Sequence, residues 1–157
     1  MSIKNMNILA IIPARGNSKE LPKKNIRLMM TKPIIEYSIN HAKQSTLINR
    51  IVVSTDNEII AKISKSHGAD VPFLRPKKIS NDNTPLIDVI KHTIDYLQKN
   101  EKYIPDIIVV LQPTSPIRNS KKIDESIRLL TKTMSSSVIS VAKVKTHPSI
   151  CFWNENE

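Results

Sequence analysis

The sequence predicts an α/β domain: a mostly parallel sheet flanked by helices. Four apolar runs are β-branched and nearly continuous, as in strands covered on both faces. Amphipathic segments at helical spacing lie between them, so strand and helix alternate. Polar, turn-rich segments follow the first three runs, where open sheets of this class bind their ligands.

The first strand is "NILAII" (7–12). In "KPIIEYSINHAKQS", Pro33 reads as the first helical residue, and Ile35, Ile39 and Ala42 share one face. "RIVVS" (50–54) is the second strand. The helix in "DNEIIAKISKSHG" is capped by Asp56 or Asn57, buries Ile59, Ile60 and Ile63, and stops at Gly68. "VPFLRPKKISNDNT" reads as a long loop over the same sheet edge. In "TPLIDVIKHTIDYLQK", Thr84 is the expected N-cap, Pro85 follows it, and Leu86, Ile90, Ile94 and Leu97 form the apolar face. "DIIVVL" (106–111) is the third strand. "SKKIDESIRLL" is a helix with Ile123, Ile127 and Leu130 inward, and "SVISVA" (137–142) is the fourth strand. No linker divides the chain, so residues 1–157 read as a single domain.

With 157 residues, 39% hydrophobic and 24% charged, the composition is that of a globular protein with a substantial core. No apolar run is long enough to cross a membrane as a helix, and no membrane association is expected. The single cysteine, Cys151, precludes an internal disulfide, suits a reducing cytoplasmic compartment and reads as a structural thiol. The net charge of +10 favours anionic partners. Aromatics make up only 4% of the chain and do not interleave with the basic cluster, which argues against a nucleic-acid binder.

The chemistry-bearing stretch is "IIPARGNSKELPKKN" (11–25), where Arg15, Lys19, Lys23 and Lys24 crowd the exit of the first strand. Backbone amides of a strand-to-helix turn together with cationic side chains form a phosphate cradle. A nucleoside triphosphate brings about four negative charges, more than one cation offsets. Arg15 can fork two phosphate oxygens, whereas lysines act as point charges. The other reading is a solvated basic loop. Neither GxxxxGK[ST] nor GxGxxG is present, which excludes an ordinary P-loop or dinucleotide enzyme. "LQPTSPIR" (111–118) offers Gln112, Thr114, Ser115 and Arg118 at a strand exit, for a ligand or simply for the turn. Asp56 in "STDN" reads as a helix cap before a ligand-side carboxylate. Arg75 in "FLRP" is placed either to reach a nucleobase or phosphate or simply on the surface, and the prolines flanking it, Pro72 and Pro76, argue for a held position. His41, His67, His92 and His147 are scattered without metal-ligand spacing; the first three sit on helices as surface or interface residues.

In order and spacing, "IIPARGNSKELPKKN", "IVVSTDNEIIAKISKSHGADVPFLRP" and "LQPTSPIR" resemble the nucleotide-binding part of the acylneuraminate cytidylyltransferases, the CMP-sialic acid synthetase family. Lys19, where CMP-Kdo synthetases usually carry arginine, places the resemblance on the nonulosonate branch. It implies a Rossmann-like nucleotidyltransferase fold and transfer of CMP from CTP to the anomeric hydroxyl of a nonulosonic acid, with pyrophosphate released. It implies that Arg15, Ser18, Lys19, Lys24 and Asn25 hold the nucleotide, with Arg15 and Lys24 stabilising charge at the α-phosphate. Arg75 would contact the cytidine and Gln112 the sugar or base. Mg²⁺ is implied as the cofactor.

Glu20 departs from the glycine frequent in the family. The resemblance spans roughly the first two-thirds of a typical member. The remainder carries the family's metal-binding acidic pair and its dimer segment, so the chain is expected to be truncated at its C-terminus relative to the family. The expected assembly is a homodimer, or a domain completed by the absent part. The alternative function is a nucleotide-binding module without turnover.

Overall fold

The structure is a computed structural model that describes residues 3–18 and 21–142. Strand β1 (Ile8–Pro13) leads into a small antiparallel ribbon, β2 (Leu28–Met29) and β3 (Lys32–Pro33). Helix α1 (Ile34–Gln44), β4 (Arg50–Ser54), α2 (Glu58–Ser66), α3 (Leu86–Glu101), β5 (Ile107–Val110) and α4 (Ser120–Thr133) follow. The main sheet is parallel, in the order β4-β1-β5. Its register pairs Leu9 with Arg50 on one side of β1 and Ile8 with Ile107 on the other.

The sheet is buried on both faces because β1 is apolar at every position from Ile8 to Ile12, all of them fully buried. Ile8, Ala10 and Ile12 face Ile35 and Ile39 of α1, Ile60 of α2 and Ile123 and Ile127 of α4. Leu9, Ile11 and Val52 face Leu97 of α3. Burying each such side chain stabilises by about 1.5–3 kcal/mol over leaving it exposed. From β1 the chain moves to one side through α1 and β4. It then crosses to the other side through α2 and α3 to reach β5. The crevice between β1 and β5 is therefore the topological switch point of the sheet.

Several expectations shift. Residues 137–142 form no strand; Ile139 and Val141 are exposed, and the segment joins neither described sheet. A β-prone sequence needs a ladder and a covered face before it becomes a strand. Pro33 is the N-cap of α1 rather than its first residue, because its ψ of 138° is extended. Thr84 does not cap α3. Pro85 occupies the cap position with no side-chain bond, and Thr84 lies one residue outside. The buried line of α3 is Val89, Thr93 and Leu97, one residue ahead of the Ile90–Ile94 line at its upper end. On α2, Ile59 turns outward and Ala61 and Ser64 turn in. Gly68 ends that region with φ at +88°, a backbone that favours glycine.

Candidate functional site

The loops that leave the carboxyl ends of β1 and β5, together with the segment before α3, line a cleft of about 240 Å³. Six expected site residues line it together: Arg15, Ser18, Lys24, Asn25, Arg75 and Gln112. Lys19, the seventh, lies outside the described residues, as do Glu20, His147 and Cys151. A larger depression of about 500 Å³ lies between α2 and Val71, Phe73 and Leu74, and it contains none of the seven.

The basic loop is built differently from the expected strand-to-helix turn. After β1 the chain makes a loop, a short 3-10 helix (Lys24–Ile26) and the β2–β3 ribbon before α1 begins. The cradle is therefore a folded loop, not a helix N-terminus. Lys23 turns the chain with a left-handed backbone (φ 56°), and Lys24 follows on the cleft side. Asn25 is buried, and its side-chain amide donates to the Arg15 carbonyl at 2.8 Å, fixing the loop from within. Gly16 is required by close approach: a Cβ there would lie 2.8 Å from the Asn57 Cβ.

Sequence reasoning misassigned Asp56. Asn57 caps α2, its side-chain oxygen accepting from the amides of Ile59 and Ile60. Asp56 instead accepts from the Gly16 amide at 2.7 Å and stands 4.0 Å from Arg75 Nη2. It ties the β4 exit to the β1 exit. Asp82, also not anticipated, forms an ion pair with Arg15 across the cleft. Both carboxylates are joined to the site only by folding, so no local pattern announces them.

Arg75 is 5% exposed, and its Nε donates to Ser80 Oγ at 3.0 Å. Burial pulls its guanidinium below the usual value, Asp56 opposes that shift and Arg15 reinforces it. A buried cation with one carboxylate 4.0 Å away is well placed to meet an acceptor from a ligand. Gln112 is held by its backbone: its carbonyl accepts from Arg118 Nη2 at 2.6 Å, and Arg118 Nη1 also donates to the buried Ser38 hydroxyl on α1. His92 is not a plain surface residue. Its ring meets Phe73 edge-on at 4.7 Å, and burial, reinforced by Arg75 and Lys78 and opposed by Asp95, lowers its pKa. His41 is lowered by burial and by Arg118, against the opposing pull of the Tyr37 backbone carbonyl.

Among the described residues, no group of three or more His, Cys, Asp or Glu is placed to hold a metal ion. Asp82 at the cleft pairs with Arg15, and Asp56 stands 4.0 Å from Arg75. The positive charge lining the cleft belongs to Arg15, Lys24 and Arg75. Among the described residues, no helix is long and apolar enough to cross a membrane.

Comparison with known proteins places this cleft in context. The family profile described as "Cytidylyltransferase" matches residues 9–155. The chain is 42% identical over 148 residues to the CMP-N,N'-diacetyllegionaminic acid synthase of Legionella pneumophila, covering 93% of this chain and 62% of that protein. It is 37% identical over 137 residues to the N-acylneuraminate cytidylyltransferase of Escherichia coli, covering 87% of this chain and 31% of that one. A solved CMP:2-keto-3-deoxy-manno-octonic acid synthetase, complexed with CTP, superposes with a TM-score of 0.67 at 20% identity, over 82% of this chain and 49% of the other. The fold is thus that of the nucleotidyltransferases, and the chain spans less than two-thirds of the curated relatives named here.

Proposed function

The chain belongs to the cytidylyltransferase family, and from that membership we propose that its cleft binds CTP and transfers CMP to the anomeric hydroxyl of a nonulosonic acid. The observation that carries the reading is the meeting of Arg15, Ser18, Lys24, Asn25, Arg75 and Gln112 around one cleft at the switch point of the sheet. Residues up to 97 positions apart in the chain converge there, which a merely solvated basic loop does not explain. The named activities of the relatives, CMP-legionaminic and N-acylneuraminate synthesis, support this acceptor class.

In this reading the acceptor oxygen forms a bond to the α-phosphorus. The bond between the α-phosphorus and the bridging oxygen breaks, pyrophosphate leaves, and the hydroxyl proton passes to solvent. Arg15 and Lys24 offset charge on the phosphates, Ser18 and Lys19 complete the cradle, and Asn25 holds the loop in shape. Arg75 donates to the cytidine and Gln112 faces the sugar or base. No step is assigned to Mg²⁺. A nucleotide-binding module without turnover is the second reading, favoured by the pairing of Asp82 and Asp56 with arginines.

Titration of CTP into the chain tests the cradle. Arg15→Ala and Lys24→Ala are each expected to weaken binding about 10- to 100-fold, the worth of one charge-assisted bond. Unchanged affinity in both variants would remove the assignment. Pyrophosphate release with CTP, Mg²⁺ and a panel of nonulosonic acids separates the two readings: release with one acid selects the transferase and names its acceptor, and CTP binding with no release selects the module.

A further inference from the structure

We propose that the Thr84 side-chain hydroxyl is a base-recognition group, hydrogen-bonded to the nucleobase of the bound nucleotide; this rests on the nucleotide-binding reading above. Thr84 stands one residue before the cap of α3 and reads in the sequence as the candidate to cap that helix. It does not do so: Pro85 takes the cap position, and no side-chain bond is made there. The Thr84 backbone is already engaged, its amide donating to the Asn81 carbonyl at 3.3 Å. Its Oγ1 is buried and has no hydrogen-bond partner among the described residues. A buried hydroxyl left unmade carries a penalty that a native fold rarely accepts without a use for the group. Thr84 also lines the cleft, together with Arg75 and Gln112. The missing partner is therefore supplied by whatever fills the cleft.

The surroundings say which part of the ligand that is. Residues 13–25 bring Arg15 and Lys24 to the cleft, the charges that suit phosphates. Residues 75–89 bring Ile79, Leu86 and Val89, with Asn81, Asp82, Thr84 and the buried Arg75 as polar groups among them, Asp82 being turned to Arg15. Apolar side chains interleaved with fixed polar groups fit a flat heterocycle with hydrogen-bonding edges. Arg75 can only donate, so it takes a base acceptor. The Thr84 hydroxyl can donate or accept and so adapts to the neighbouring edge atom.

The test is calorimetric titration of the full chain and of Thr84→Val and Thr84→Ser with two probes, CTP and inorganic tripolyphosphate. Thr84→Val keeps the shape and removes the hydroxyl. It is expected to weaken CTP about three- to tenfold, leave tripolyphosphate affinity unchanged, and leave the ligand-free melting temperature equal or higher. Thr84→Ser is expected to restore most of the CTP affinity. Equal CTP affinity in Thr84→Val and the parent chain would overturn the proposal, as would equal losses for both probes. A parent chain that binds tripolyphosphate but not CTP would also overturn it while leaving the phosphate cradle standing. Binding of neither probe would defeat the nucleotide-site reading itself, and this proposal with it.

Discussion

Asp56 and Asn57 are adjacent, similar in size and assigned to different tasks. Asn57 caps α2 through two backbone amides, whereas Asp56 leaves the helix to hold the Gly16 amide and face Arg75. Asn57→Ala is therefore expected to cost about 1 kcal/mol, a fall of about 2–4 °C in melting temperature, with CTP affinity little changed. At Asp56 the order of variants is informative. Both variants remove the carboxylate that faces Arg75, but Asp56→Asn keeps an acceptor for Gly16 and Asp56→Ala removes that as well. Urea unfolding should rank them parent, Asn, Ala in decreasing stability, and equal midpoints for the two variants would show that the Gly16 bond contributes nothing. The cleft's cations were legible in the sequence because a dense basic cluster at a strand exit is a local pattern. Asp56 was not, since either of two adjacent Asx residues satisfies the capping signal and only the path of the folded loop decides between them. Asp82 and the orphaned Thr84 hydroxyl were hidden for the same reason: their roles are defined by groups distant in the chain.

Between elements, the end of α1 is fastened to α4 by one buried carboxylate. Asp124 accepts from the Thr46 amide at 3.0 Å and the Thr46 hydroxyl at 2.6 Å, and from the Ser45 hydroxyl at 2.5 Å. Burial works to raise its pKa, but these donors, with Arg128, outweigh burial and hold it below the ordinary value. A folded-state pKa below the unfolded one means that the carboxylate's contribution is fully present above the unfolded value, about 3.9. It is lost as pH falls through the lower folded value. Stability should therefore fall on acidification below about pH 4, and Asp124→Asn should flatten that limb while costing about 1–3 kcal/mol at pH 7. A variant whose unfolding free energy keeps the parent's acid slope would contradict this. Such a fastening is invisible in a helical wheel, where Asp124 reads as one polar residue beside Ile123. Strands β1, β4 and β5 and all four helices were legible because each carries a strong periodicity or a β-branched run. The β2–β3 ribbon was not, because two-residue strands have no period to detect. The line along α3 was misplaced because Thr93 is buried with its hydroxyl bonded to the Val89 carbonyl at 2.8 Å, so a polar residue takes an inward position.

For the molecule as a whole, the question is whether its charge of +10 or the shape of its cleft selects the anion. A diffuse positive field attracts any polyanion, and at 0.15 M salt it reaches only about 8 Å. A cleft with an arginine and a lysine directed at one ligand is screened less and discriminates by fit. Nucleic acid held without a cleft would need aromatic platforms for its bases. The described aromatics are otherwise engaged: Phe73 packs on His92 and Tyr96, Tyr103 lies under Arg50, and the Tyr37 hydroxyl bonds the Met29 carbonyl. Selection by the cleft therefore predicts an ordered competition. At 0.15 M salt, tripolyphosphate should displace labelled CTP, while a single-stranded oligonucleotide at the same phosphate concentration should not. Lowering the salt should strengthen oligonucleotide binding far more than CTP binding, because the oligonucleotide depends on released counterions along its length. If the oligonucleotide displaced CTP as readily as tripolyphosphate at 0.15 M salt, net charge would be the selecting feature and the convergence of Arg15, Lys24 and Arg75 would lose its functional meaning.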